Sequence, residues 1–106
     1  MFPEDIKDST PRLGHYDNSD THNTRVSFKL FDPCGSATWY VCEANFDEED
    51  MPAFGYVTGL GEDELGHFSL KEISELKGLL FNLPMERDIL WDPETTLKAV
   101  MDKKVR

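Results

Sequence analysis

In RVSFKLF the apolar residues Val26, Phe28 and Leu30 alternate with Arg25, Ser27 and Lys29. A period of two predicts a half-buried strand. Asp32, Pro33 and Gly35 in DPCGS supply a turn. ATWYVCEA, rich in aromatic and β-branched side chains, predicts a second strand antiparallel to the first. AFGYVTGL predicts a third, on which Gly55, Val57 and Gly59 share a face. Glycines there mark a bulge or the close approach of a neighbour, with Trp39 or a helix filling the space. A turn in LGEDELGHF leads to a short extended piece at His67 and Phe68.

The period then lengthens. Leu70, Ile73, Leu76 and Leu80 trace a helical stripe, opened by the capping box of Ser69 and Glu72 and stopped by Gly78. Ile89 to Trp91 predict one more extended segment. DPETTLKAVMDKK predicts a final helix with Asp92 as N-cap and Pro93 in its first turn. Leu97, Val100 and Met101 form its buried side, and Lys103 and Lys104 complement its C-terminal dipole. Residues 1–24, rich in turn formers, read as an irregular arm anchored by Leu13 and Tyr16. The expected fold is α+β: one domain over residues 25–106, with a small, mainly antiparallel sheet of three to five strands and two helices packed on one face.

Charge narrows the function classes. The 106 residues, a length suited to one domain, carry a formal net charge of −10. Between Lys29 and Lys71 there is no Lys or Arg, yet nine acids occur: Asp32, Glu43, Asp47, Glu48, Glu49, Asp50, Glu62, Asp63 and Glu64. Such a field disfavours direct binding to nucleic acid or an anionic membrane. No apolar run approaches the roughly 20 residues of a membrane helix. The opening MFPEDIKDST lacks the blocks of a secretory signal, so a cytoplasmic location is expected. Cys34 and Cys42 then read as free thiols, a bridge between them being the less favoured alternative.

Candidate chemistry is sparse. DEEDMPAFG lacks the alternating ligands of a calcium loop. Eight positions separate the cysteines, and His15, His22 and His67 complete no zinc spacing. Cys34 or Cys42 with His67 meets the minimum for a thiol nucleophile, but neighbouring acids oppose thiolate formation. GLGEDELG lacks a phosphate-loop lysine. Glu86, Arg87 and Asp88 read as a structural charge group. Neither metal nor cofactor is expected. The commonest meaning of an acid run is a solvated loop, and its rival is a surface that recognises a basic partner.

Three segments, FKLFDPCGSATWYVCEA, FGYVTGLGEDELGHFSLKEISELKG and LPMERDILWDP, resemble DUF2958, a domain-of-unknown-function family of short bacterial, plasmid and phage proteins. T-W-Y, F-G-x-V-x-G-L, E-L-G-x-F-S-L and E-R-D carry the likeness across most of residues 26–93. The resemblance implies one compact α+β domain and a home on mobile genetic elements, and assigns no catalytic or ligand residue. The resulting expectation is an acidic interaction protein rather than an enzyme, monomeric or weakly dimeric. Its partner would be a protein with a basic surface, such as a nucleic-acid-binding defence complex inhibited by an anti-CRISPR or anti-restriction protein. A folded acidic surface can occupy a Lys/Arg array that otherwise holds DNA. Expected partner-binding residues are Glu43, Asp47, Glu48, Glu49, Asp50, Glu62, Asp63 and Glu64, gathered at one end of the sheet, with Trp39 and Tyr40 as anchors. The alternatives are a small enzyme using Glu43, His67 or Arg87, and a structural or regulatory subunit whose acids serve solubility.

Overall fold

Antiparallel pairing of sequence-adjacent strands builds most of the sheet, because short turns suffice to reverse the chain. The computed structural model of the protein describes residues 4–16, 23–32, 37–59, 61–75, 86–88 and 90–102. Its strands are β1 (Phe28–Phe31), β2 (Thr38–Ala44), β3 (Pro52–Thr58), β4 (Glu64–Ser69) and β5 (Glu86–Arg87), in the spatial order β4-β3-β2-β1-β5. Its helices are α1 (Glu4–Ser9), α2 (Leu70–Glu75) and α3 (Leu97–Met101). The fold is α+β.

Both faces of the sheet are covered. On the first, Phe28, Leu30, Trp39, Val41 and Ala53 pack with Ile6 of α1 and with Leu70 and Ile73 of α2. On the second, Cys42 and Phe54 pack with Val26 and with Leu97 and Val100 of α3. The two expected helices therefore lie on opposite faces rather than sharing one. A strand with both faces covered is buried at successive positions, and in β2 Val41 to Ala44 are all buried, three of them apolar and the fourth Glu43.

Several boundaries differ from the sequence expectation for local reasons. Glu4 and Asp5 favour the N-terminal dipole of α1 and Lys7 its last turn, so part of the expected arm is helical. Beyond α1 the chain crosses from one face to the other. Ala44 N–H donates to Pro11 O at 2.9 Å, and Leu13 packs on the second face as anticipated. Asp92 caps a turn, with Glu94 N–H donating to its Oδ1 at 2.9 Å. Helix α3 starts five residues after Asp92, capped by Thr96, whose hydroxyl accepts from Ala99 N–H at 3.1 Å. The delay follows from main-chain bonds that hold residues 95–96 extended up to the helix start: Val26 N–H to Thr95 O and Leu97 N–H to Thr24 O, both 2.8 Å. The last strand is Glu86–Arg87 rather than residues 89–91, of which Ile89 is outside the described residues. Trp91 instead caps the second face, donating its indole N–H to Val26 O at 2.8 Å. Ser69 does cap α2, accepting from Glu72 N–H at 3.2 Å. Its expected continuation through Leu76, Gly78 and Leu80 is outside the described residues, as are Lys103 and Lys104.

One irregularity sets the phase of β2. Val41 pairs with Gly55 but Glu43 with Phe54, so Cys42 is an extra residue. This bulge forces a close approach: a Cβ at Gly55 would lie 1.9 Å from the Tyr40 carbonyl oxygen. Gly66, the partner of Gly55 on β4, has nothing within 4 Å of such a Cβ. Gly55→Ala should therefore cost more than about 3 kcal/mol in urea denaturation. Gly66→Ala should be neutral, or stabilise by up to about 1 kcal/mol through reduced unfolded-state freedom. Equal effects of the two substitutions would contradict the bulge geometry.

Candidate interaction surface

The expected acidic residues fall into three places. Glu43 is 1% exposed. Trp39 and Val41 share a face, and strict alternation would send Glu43 to it. The bulge instead turns Glu43 toward the second face, where it pairs with Phe54. There its Oε2 accepts from the Tyr16 N–H at 2.6 Å, while Oε1 has no hydrogen-bond partner among the described residues. Glu43 thus tethers the chain after α1 and is not a surface acid.

The remaining acids occupy two hairpins. Asp47 to Asp50 lie in the β2–β3 connection and Glu62 to Glu64 at the β3–β4 connection, all exposed. These connections sit at opposite ends of β3, about 20 Å apart for a strand of this length. The expected single patch is accordingly two separate ones. At the first end, Asp47 pairs with Arg12 at 2.7 Å and Glu49 with Lys71 at 3.8 Å. Glu48 accepts from Asn45 Nδ2 at 2.5 Å. The Arg12 hydrogen bond holds the Asp47 carboxyl below its ordinary range. At the second end, Glu62, Asp63 and Glu64 make no ion pair among the described residues.

The second end also carries shape. A cleft of about 320 Å³ is lined by Trp39, Val57, Glu62, Glu64, Gly66, His67 and Phe68. Its origin is the sheet register. Trp39, Val57 and Glu64 form one cross-strand row on the first face, and Val41, Gly55 and Gly66 the next. Paired glycines leave that second row without bulk. Trp39 is 5% exposed, so it serves as cleft wall rather than as a projecting anchor.

On the opposite face, Leu65, Tyr56, Tyr40 and Lys29 form a continuous row. Tyr40 is half-buried, its ring 6.3 Å from Tyr56 and 5.7 Å from Trp91. Lys29 Nζ lies 5.7 Å from the Tyr40 ring centroid and 3.9 Å from the Asp88 carboxylate. Burial raises the hydroxyl pKa of both tyrosines; Asp63 adds to this and hydrogen-bonds Tyr56.

Strand β4 is an edge, paired only with β3 among the described residues. Leu70 N–H donates to Met51 O at 3.0 Å, and Asn45 N–H to Pro52 O at 2.9 Å. Antiparallel alternation then directs the main-chain groups of Glu64, Gly66 and Phe68 toward β3 and those of Leu65 and His67 away from it. Leu65 and His67 are exposed.

The groups considered for catalysis do not converge. Burial, reinforced by Glu43, pushes the Cys42 thiol up to about 12. His67 sits on β4, its ring 5.1 Å from Phe54, whereas Arg87 sits on β5 at the other edge, 3.7 Å from Asp5. Among the described residues no group of three or more His, Cys, Asp or Glu could hold a metal ion. No described helix is long and apolar enough to cross a membrane. Cys34 and His22 are outside the described residues.

The DUF2958 model, described as a protein of unknown function, matches residues 8–104. The chain belongs to this family. No curated protein and no solved structure matches it. The likeness read from T-W-Y and F-G-x-V-x-G-L thus extends over nearly the whole chain, including α3.

Two measurements check this geometry. Glu43→Ala should lower stability by about 1–3 kcal/mol and abolish exchange protection of the Tyr16 amide, whereas Glu43→Gln, which keeps an acceptor, should preserve that protection. The Cys42 thiol, with an ordinary value of 9.0, stays protonated in the folded protein to about 12. The folded state then holds a proton that the unfolded state has lost, so stability should fall as pH rises from 9.0 toward 12, by up to about 1.4 kcal/mol per pH unit. Cys42→Ala should remove this component, and the native thiol should resist disulfide reagents at pH about 8.

Proposed function

We propose that the protein is a non-enzymatic interaction domain that docks on a cationic partner protein through the β3–β4 end of its sheet. The observation that carries this reading is the coincidence there of exposed acids that make no ion pair among the described residues with a cleft floored by apolar side chains. Acidity alone would suit either hairpin. The cleft distinguishes them, because short-range apolar contact is what turns electrostatic attraction into a defined complex. A net charge of −10 would speed encounter with a basic surface and repel nucleic acid itself.

The bacterial, plasmid and phage setting implied by the family resemblance makes a nucleic-acid-handling defence complex the partner class we favour. Such complexes carry Lys/Arg arrays that Glu62, Asp63 and Glu64 would compete for. The separation of the acids changes the form of the idea. A mimic covering a long DNA tract needs a continuous charged surface, whereas one hairpin end suits a local basic site. The enzyme alternative is weakened by the burial of Cys42 and Glu43 and by the placement of His67 and Arg87 at opposite edges.

Affinity capture from bacterial extract, at low and at high salt, tests the proposal. A basic protein should be retained at low salt and released at high salt. Replacing Glu62, Asp63 and Glu64 by Lys should weaken its binding by roughly 100-fold, since like-charge contacts cost several kcal/mol. The same change at Asp47, Glu48, Glu49 and Asp50 should leave it nearly intact. Unaltered capture by the 62–64 variant would refute the reading.

A further inference from the structure

The geometry points to the outer edge of β4, with which no described strand besides β3 pairs, as a strand-addition site for an extended partner segment that carries an apolar side chain followed by basic ones at alternate positions. This deepens, and rests on, the proposal of a cationic partner. Three independent features converge on the edge. Leu65 and His67 direct their N–H and C=O groups away from β3, and no main-chain bond to them exists among the described residues. Such groups are a template for another strand. The two side chains are exposed, Leu65 at 37%. Finally, the cleft lies on the first face beside this same edge, bounded by Glu64, Gly66 and Phe68, which alternate along β4.

The occupant's chemistry follows from the register. A strand added to β4 places every second side chain over the first face. The one beside Gly66 enters the cleft, where Trp39, Val57 and Phe68 offer apolar contact. Towards the β3–β4 turn, the side chains two and four positions from it reach Glu64 and then Glu62 at the rim, while the one two positions the other way lies beside Phe68. An apolar residue with Lys or Arg two and four positions along on that side satisfies both requirements, and a peptide with Lys on both sides does so in either strand direction. A second copy of the chain fits poorly, because each copy brings a net charge of −10 to the contact.

The test uses the full chain and an end-capped, fluorescently labelled peptide, Lys-Thr-Lys-Thr-Val-Thr-Lys-Thr-Lys, with binding read by anisotropy. A scrambled peptide of the same composition and an N-methylated version serve as comparisons. The ordered peptide should bind about tenfold or more tightly than either, and should protect the Leu65 and His67 amides from exchange. Gly66→Val, which has room for its side chain, fills the cleft. His67→Pro removes an outward N–H at an edge position where proline is tolerated. Each variant, its fold confirmed by circular dichroism, should weaken the peptide about tenfold.

Equal binding of the N-methylated and unmodified peptides, or no loss in folded Gly66→Val, overturns strand addition. If Glu62→Lys with Glu64→Lys then still abolishes binding, the cationic-partner reading survives alone. Insensitivity to that pair sinks both. Absence of peptide binding at about 1 mM overturns strand addition, as does concentration-dependent self-association that protects the same two amides.

Discussion

A single extra residue in β2 fixes how the two faces of the sheet are assigned. Up to Val41 the strand sends Trp39 and Val41 to one face and Tyr40 to the other. Without the bulge at Cys42, Glu43 would follow Trp39 and Val41 into the core built by Leu30, Ile6 and Leu70. An unpaired carboxylate among those side chains would cost several kcal/mol. The bulge moves it to the second face, where the Tyr16 N–H meets it, and returns Ala44 to the first. Gly55 makes the bulge possible, because any side chain there would meet the Tyr40 carbonyl.

From this shift comes a dependence between distant parts of the chain. The segment after α1 is held by Glu43, by Ala44 N–H and by Asn45, whose Oδ1 accepts from Leu13 N–H at 3.0 Å. It joins Ile6 of α1, in one core, to Leu13 in the other. The second face is closed by residues 91–101, themselves anchored on residues 24–26 by main-chain bonds and the Trp91 indole. Helices α1 and α3, of six and five residues, are far too short to persist alone in water, so tertiary packing supplies their stability. The sheet and its coverings should accordingly unfold as one unit.

Period and turn chemistry made the central hairpins legible: β2 and β3 emerged within two residues of their observed limits, and Ser69 caps α2 as anticipated. Missed features were those that a non-local bond decides. Thr96 displaced Asp92 as helix cap because residues 24–26 hold its neighbours extended, and no local pattern announces that pairing. The Glu43 bulge did leave a trace. Its carboxylate is in phase with Trp39 and Val41 and lies across from a glycine-bearing strand, a conflict that only a slipped register resolves. Acid positions alone carried no such information, since a meander sends successive hairpins to opposite ends regardless of their charge.

That last point decides how the charge should be interpreted. Acids in consecutive hairpins of an antiparallel sheet cannot sum into one field at contact range. Separated by about 20 Å, they lie beyond the screening length of roughly 8 Å in physiological salt. Each end must then act on its own. At the β2–β3 end Arg12 and Lys71 already offset part of the charge. At the β3–β4 end the same register that pairs Gly55 with Gly66 opens the cleft, directs the Leu65 and His67 main chain outward, and raises Glu62 and Glu64 at the rim. On the proposed reading, recognition at that end would rest on this β3–β4 register and not on acidic composition by itself.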